Sequence, residues 1–281
     1  MGKITLVELI KIVDEIPAFS KSVQNVMTLL HEPEANVEDV GSAIMKDQGL
    51  TIKILKMANS AFYRGSKQIK TIKRALVLLG LDTVEVLVYA AGVDKIMKQE
   101  LKGYGYQKDE MWSYSLMSAY IAKTIALKVD FETPDFAFIT GLLKDIGKVG
   151  LNSLVFESHE DIAELMTNKD VSYLAAEEAV IGFNHCQVGA RMIKKWKLSS
   201  ELAEAIELQQ CPSQAVINPT LVAILHLTDA IVVKMDGYKM SNPVSYDFQA
   251  DVLSILGLNE KDLESLIIKV EEELENEEYL I

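Results

Sequence analysis

The chain has 281 residues, 49% hydrophobic and 25% charged, with 28 basic against 41 acidic side chains and a formal net charge of -13. That length supports one large domain or two modest ones with a real core. The acidic balance argues against a general binder of nucleic acid or anionic membranes, which needs net or patched positive charge. With 15 glycines, 6 prolines and few hairpin signals, the pattern predicts an all-α protein.

Leu6 to Val13 reads as a short amphipathic helix, broken at Ile16-Pro17-Ala18. Ser20 is placed to cap a helix over Val23 to Leu30, and Asn36 one over Val37 to Met45. Asp47-Gln48-Gly49 forms a corner before a helix from Leu50 to Ala61, with Ile52, Leu55, Met57 and Ala58 inward. After a loop at residues 62–66, Thr71 opens a helix that Gly80 ends at Leu79, and another runs on to Ile96. Leu101 to Lys108, rich in glycine and tyrosine, reads as a linker between two helical halves.

In the second half, Trp112 to Leu127 is a long helix, with Trp112 and the later Trp196 at core spacing. Thr133-Pro134-Asp135 starts a central helix, in which Phe136, Ala137, Ile139, Leu142, Leu143 and Ile146 mark a buried face. It ends at Gly147, which either stops the helix or lets another backbone come close. Further helices are expected over 161–166, 174–181, 185–196, 200–208 and 221–233, and two more within 246–279. The run Glu271 to Glu278 reads as a solvated acidic end. No apolar run reaches the roughly 18–20 residues of a spanning helix; Ala75 to Val93 comes nearest but carries Asp82 and Glu85. Cys186 and Cys211 form no CxxC pair, and nothing N-terminal reads as secretory, which points to a reducing, cytoplasmic home.

The charged pair Lys144-Asp145 is set into the apolar central segment. Buried charge is costly unless paired or used, so it is either a structural ion pair or what is left of a site. Tyr114, His185, Gln209, Gln210 and Asp229 also lie on or beside apolar helix faces. Cys186 next to His185 is a weak nucleophile signal, because adjacent helix residues point about 100° apart.

In order, the phrases Ile16-Pro17-Ala18, Asp47 to Thr51, Ile54 to Tyr63, Ile69 to Gly80, Trp112 to Ser115, Gly141 to Lys148 and Glu178 to Trp196 resemble the HDOD family, the HD-related output domains of bacterial signalling proteins. The resemblance spans about residues 10 to 235. It implies a multi-helix fold whose second half is similar to metal-dependent HD phosphohydrolases, with an N-terminal subdomain over 1–100, an HD-like subdomain over 101–235 and a C-terminal extension over 236–281. Those enzymes hold divalent metals with histidine and aspartate side chains, whose lone pairs the metals require. Here Tyr114 stands at the first histidine position and Lys144 replaces the histidine of the His-Asp pair. Gln209-Gln210 takes the place of a later histidine pair. Asp145, His185 and Asp229 keep ligand types and would be the ligands of any metal.

A protonated Lys144 offers no lone pair and puts positive charge where a cation would sit. The expectation is therefore a vestigial site with no catalytic residues, no metal and no cofactor, in a regulatory module that binds a protein partner of a signalling pathway. The alternatives are a residual phosphohydrolase acting on a nucleotide, and a nucleotide sensor in which Lys144 meets a phosphate. Arg64, Lys67, Lys70, Lys73 and Arg74 form the one positive cluster. With Phe62 and Tyr63 beside it, this is the candidate docking patch for an acidic partner or a nucleotide phosphate.

Overall fold

In the computed structural model, residues 2–17, 19–60, 63, 68–169, 171–235, 249 and 251–274 are described. They are mostly helical, and among them the only strand-like pairing is an isolated bridge between Leu101 and Tyr106. Two compact units are present, one of Met1–Pro17 with Met97–Glu271, the other of Ala18–Ile96 with Glu272–Ile281.

The first helix, α1 (Leu6–Glu15), is counted with the larger unit. Thr5 and Glu8 close a reciprocal capping box at its start. At its other end Lys195 Nζ donates to the carbonyls of Val13, Asp14 and Ile16, at 2.7, 3.0 and 3.0 Å. An ammonium has three donors, and here all three go to carbonyls at and just past the last turn of the helix, where backbone acceptors are short of partners.

The smaller unit holds α2 (Lys21–Leu30), α3 (Val37–Met45), α4 (Gln48–Ala58) and most of α5 (Ile72–Met97). Ser20, Asn36 and Asp47 cap the first three by accepting from the backbone N–H of Val23, Asp39 and Leu50. The inward face of α4 differs from expectation. Leu50, Ile54 and Ala58 are buried at four-residue steps, while Ile52 is 56% exposed. Residues four apart stack on one face of a helix, and in α4 the buried face is the Leu50–Ile54–Ala58 row rather than the one through Ile52.

By length and composition α5 is long and apolar enough to cross a membrane, contrary to the sequence expectation. It is broken at Gly80, where φ is 82° and ψ 170°, a region open essentially to glycine alone. Beyond the break, Glu85 pairs with His31 and Asp94 with Lys53.

The larger unit continues with α6 (Glu110–Lys128), α7 (Pro134–Leu143), α8 (Gly147–Glu157), α9 (His159–Lys169), α10 (Tyr173–Ile181), α11 (His185–Lys195), α12 (Ser200–Leu208), α13 (Pro219–Lys234), α14 (Asp251–Ile255) and most of α15 (Glu260–Leu274). Trp112 and Trp196 are both core. The expected linker is a firm part of this unit. Leu101 and Tyr104 are buried, and Gly103 N–H donates to Asn152 Oδ1 at 2.9 Å. The central helix α7 is buried on every side from Ala137 to Leu143, not on one face. It lies against α6, α12 and α13, and α13 is itself buried continuously from Leu221 to Val232.

Lys144-Asp145 falls in the turn between α7 and α8, not inside a helix. Gly147 opens α8, and a Cβ there would overlap the His185 carbonyl. Close backbone approach is thus what this glycine provides, and it brings the start of α8 against the start of α11. The described C-terminal helices pack on the same unit through Val252, Leu266 and Val270, and through Lys128 paired with Asp262 at 3.0 Å. The end of the acidic run, from residue 275, lies outside the described residues.

Candidate functional site

The α7–α8 turn, the N-terminus of α11, the C-terminus of α12 and the middle of α13 meet at one place in the larger unit. Tyr114, Lys144, Asp145, His185, Gln209, Gln210 and Asp229 all join a single network there. Lys144 Nζ is 2.5 Å from Asp145 Oδ2 and 2.7 Å from Asp229 Oδ1, and its side chain is 3% exposed. It stands over the Tyr114 ring at 5.2 Å from the centroid, a cation–π distance. Gln210 Nε2 donates to the second Asp229 oxygen at 2.7 Å. Gln209 Nε2 donates to the Lys144 carbonyl at 3.0 Å and reaches Cys186 Sγ at 3.1 Å.

Four partners were not singled out from the sequence. Lys148 Nζ is 3.2 Å from Asp145 Oδ1 and sits among the rings of Tyr104, Tyr106 and Tyr114 at 5.5–5.8 Å. Glu177, fully buried, accepts from Tyr104 OH at 2.6 Å and from both His185 N and His185 Nδ1 at 3.0 and 2.7 Å. His185 Nε2 faces Asp145 Oδ1 at 3.5 Å. Phase was the signal for Glu177, which shares a face of α10 with Tyr173, Ala176 and Ile181. For Lys148 it was the spacing to Leu151 and Val155 on α8.

The network is balanced. Three acids, Asp145, Glu177 and Asp229, face three bases, Lys144, Lys148 and His185. Burial by itself would lower the Lys144 ammonium, but the carboxylates of Asp145 and Asp229 outweigh it and hold it well above the usual lysine range. Burial works against charge on Lys148 as well, and Asp145 again reverses the direction. For Asp145, burial would raise the carboxyl; Lys144, Lys148 and His185 together hold it well below the usual range. Burial would lower His185, yet Glu177 pushes it up to about 10, so the ring is an imidazolium at neutral pH.

Behind this layer, His226 Nδ1 donates to the Gln209 carbonyl at 3.0 Å, and its Nε2 accepts from Gln249 N–H at 3.1 Å. Gln249 Nε2 also donates to the Gln210 carbonyl at 3.0 Å. Among the described residues, the C-terminal extension thus touches the network through Gln249.

With Lys144 in place, these residues do not fit a metal ion. A lysine nitrogen lies between the two aspartates, and both His185 nitrogens face carboxylates, which leaves no imidazole lone pair to give. Among the described residues no group of three or more His, Cys, Asp or Glu is arranged to hold a metal. Of the docking patch, Lys70, Lys73 and Arg74 are exposed and Tyr63 is half-buried, while Phe62, Arg64 and Lys67 lie outside the described residues.

Comparison with known proteins agrees with the fold. YuxH of Bacillus subtilis, itself uncharacterised, is 26% identical over 141 residues, which is 50% of this chain and 32% of YuxH. The chain therefore spans about a third of that relative. An HDOD domain protein of unknown function from Geobacter sulfurreducens superposes with a TM-score of 0.71 at 23% identity, covering 94% of each chain. A candidate phosphohydrolase from Shewanella amazonensis gives 0.73 at 23% identity, over 93% of this chain and 92% of that one. A candidate signal transduction protein from Marinobacter aquaeolei gives 0.72 at 20%, over 91% of this chain and 57% of that one. At these identities the likeness is one of fold. The family model of the HDOD domain matches residues 16–212, most of the sequence, and the chain belongs to that family.

Proposed function

We propose that this HDOD protein is a non-catalytic regulatory module that acts in a reducing compartment by binding a protein partner of a signalling pathway. One observation carries the reading. The position between Asp145 and Asp229, where hydrolytic chemistry needs a Lewis acid, is filled by the Lys144 ammonium at 2.5 and 2.7 Å. An ammonium supplies charge but cannot polarise a phosphoryl oxygen by coordination or carry a hydroxide. The description of the Marinobacter neighbour as a candidate signalling protein is in keeping with this role, as are two unpaired cysteines. Nucleotide sensing is less well supported, because a phosphate would add negative charge to cations that already have carboxylate acceptors.

Elemental analysis and a hydrolysis assay test the proposal. Protein purified without chelator is expected to carry no stoichiometric manganese, iron or zinc, and to leave generic chromogenic phosphodiesters and cyclic dinucleotides intact. A stoichiometric metal that disappears in Asp145→Ala, or metal-dependent turnover, overturns it.

A further inference from the structure

We propose that the Lys144 ammonium is the resident cation of this site, a tethered substitute for a hard divalent ion, and that Asp145 and Asp229 form a cation cage which it keeps filled. The two acids come from separate elements, the α7–α8 turn and α13. Each aims one oxygen at the same nitrogen, at 2.5 and 2.7 Å. Two buried carboxylates converging this way need either a shared proton or a cation between them, and here the ammonium fills that role.

What makes this a cage is that the outer oxygens are held independently of Lys144. Asp145 Oδ1 faces Lys148 at 3.2 Å and His185 at 3.5 Å, and Asp229 Oδ2 accepts from Gln210 at 2.7 Å. Glu177 in turn fixes His185. These are outer contacts of the kind that orient ligands in metal sites. With the ammonium deleted, the inner oxygens still point into the vacated space. The charge balance then falls short by one positive charge, and the donors are hard oxygens suited to Mn²⁺ or Mg²⁺. The inference concerns what fills the cage and holds whatever partner the module binds.

The test is cation rescue of Lys144→Ala in the full chain. Stripped with chelator, the variant is expected to melt well below wild type. Each tenfold rise in MnCl₂ above its Kd should lift its Tm by about 3–6 °C, with the wild-type Tm unmoved. Titration calorimetry and the Mn²⁺ paramagnetic resonance signal report the bound ion directly. Adding Asp229→Asn should abolish the response. A flat Tm with no bound Mn²⁺, an equal rise in wild type, or a response that survives Asp229→Asn overturns the inference. Should Lys144→Ala not be recovered soluble, Lys144→Gln is refolded with and without Mn²⁺, and equal recovery in both counts against it. Metal in wild-type protein as purified sinks the proposed function, whereas an unresponsive variant sinks only this inference.

Discussion

At the scale of single residues, Asp145 and His185 set how the network responds to substitution and to pH. Asp145 faces three cations, so Asp145→Ala leaves buried positive charge uncompensated. Breaking a buried pair from one side costs about 3–5 kcal/mol, and that loss is expected in urea denaturation; a change under about 1 kcal/mol would contradict the network as drawn. His185 rises from an ordinary value of 6.5 to about 10 on folding. A raised folded value means its contribution is complete below 6.5 and is lost as pH climbs through about 10. Asp145 behaves in the opposite sense. Its carboxyl is held below the ordinary 3.8, so its contribution is present above that value and fades as pH falls. Glu177→Gln removes the main charge that raises His185. In that variant the ring protons are expected to titrate at lower pH by NMR, and the alkaline loss of stability should begin earlier. An unchanged titration would mean that Glu177 does not hold the ring. Of the site, the seven polar positions were readable because their residue types stand out against apolar helices and match the family's order. Glu177 and Lys148 were not, because their helical phase is the only signal they carry, and for a single charged residue it becomes decisive only when the neighbouring helices are placed.

At the scale of elements, two glycines separate strain from collision. At Gly80 a Cβ meets nothing within 4 Å, and only the backbone angle opposes a side chain. Gly80→Ala is expected to cost about 1–3 kcal/mol. At Gly147 the Cβ would overlap the His185 carbonyl and press on Gly189 N, both parts of α11 backbone that cannot turn aside. Gly147→Ala is expected to exceed about 4 kcal/mol or to leave no soluble protein. Denaturation of the pair gives the order, and a reversed order would overturn the role assigned to the α8–α11 contact. Lys195 makes a third element-scale case, since its three bonds hold the end of α1. Lys195→Met keeps the stem and drops the donors, so hydrogen exchange should speed up in α1 while α13 stays protected. Helix starts were the most legible elements, because Ser20, Asn36 and Asp47 carry their own capping chemistry. The helix α8 gave little periodic signal. Its position depends on a glycine contact with a residue almost forty places later, which no local pattern contains.

At the scale of the whole molecule, the all-α fold was legible from composition and from phrases spread over most of the chain, and the family match over residues 16–212 agrees. The grouping of α1 with the larger unit was not, because it rests on Lys195 reaching back across some 180 positions. Surface charge is the remaining whole-molecule property, and it bears on partner choice. In a chain of net charge -13, Lys70, Lys73 and Arg74 form a local exception exposed on the smaller unit. Among the described residues, Lys73 faces Glu38 at 3.8 Å, with both side chains largely exposed. Such a pair adds about 0–1 kcal/mol at most. Reversing all three to glutamate should therefore leave the melting temperature within a few degrees of wild type. If the patch docks an acidic partner, the same reversal abolishes capture of whatever protein wild type retains from cell extract. The retained protein should also elute at lower salt as the positive charges are removed one by one, because steering between exposed charges is screened over about 10 Å at 0.1 M salt. A partner held equally by wild type and the triple variant would move the docking surface elsewhere on the molecule.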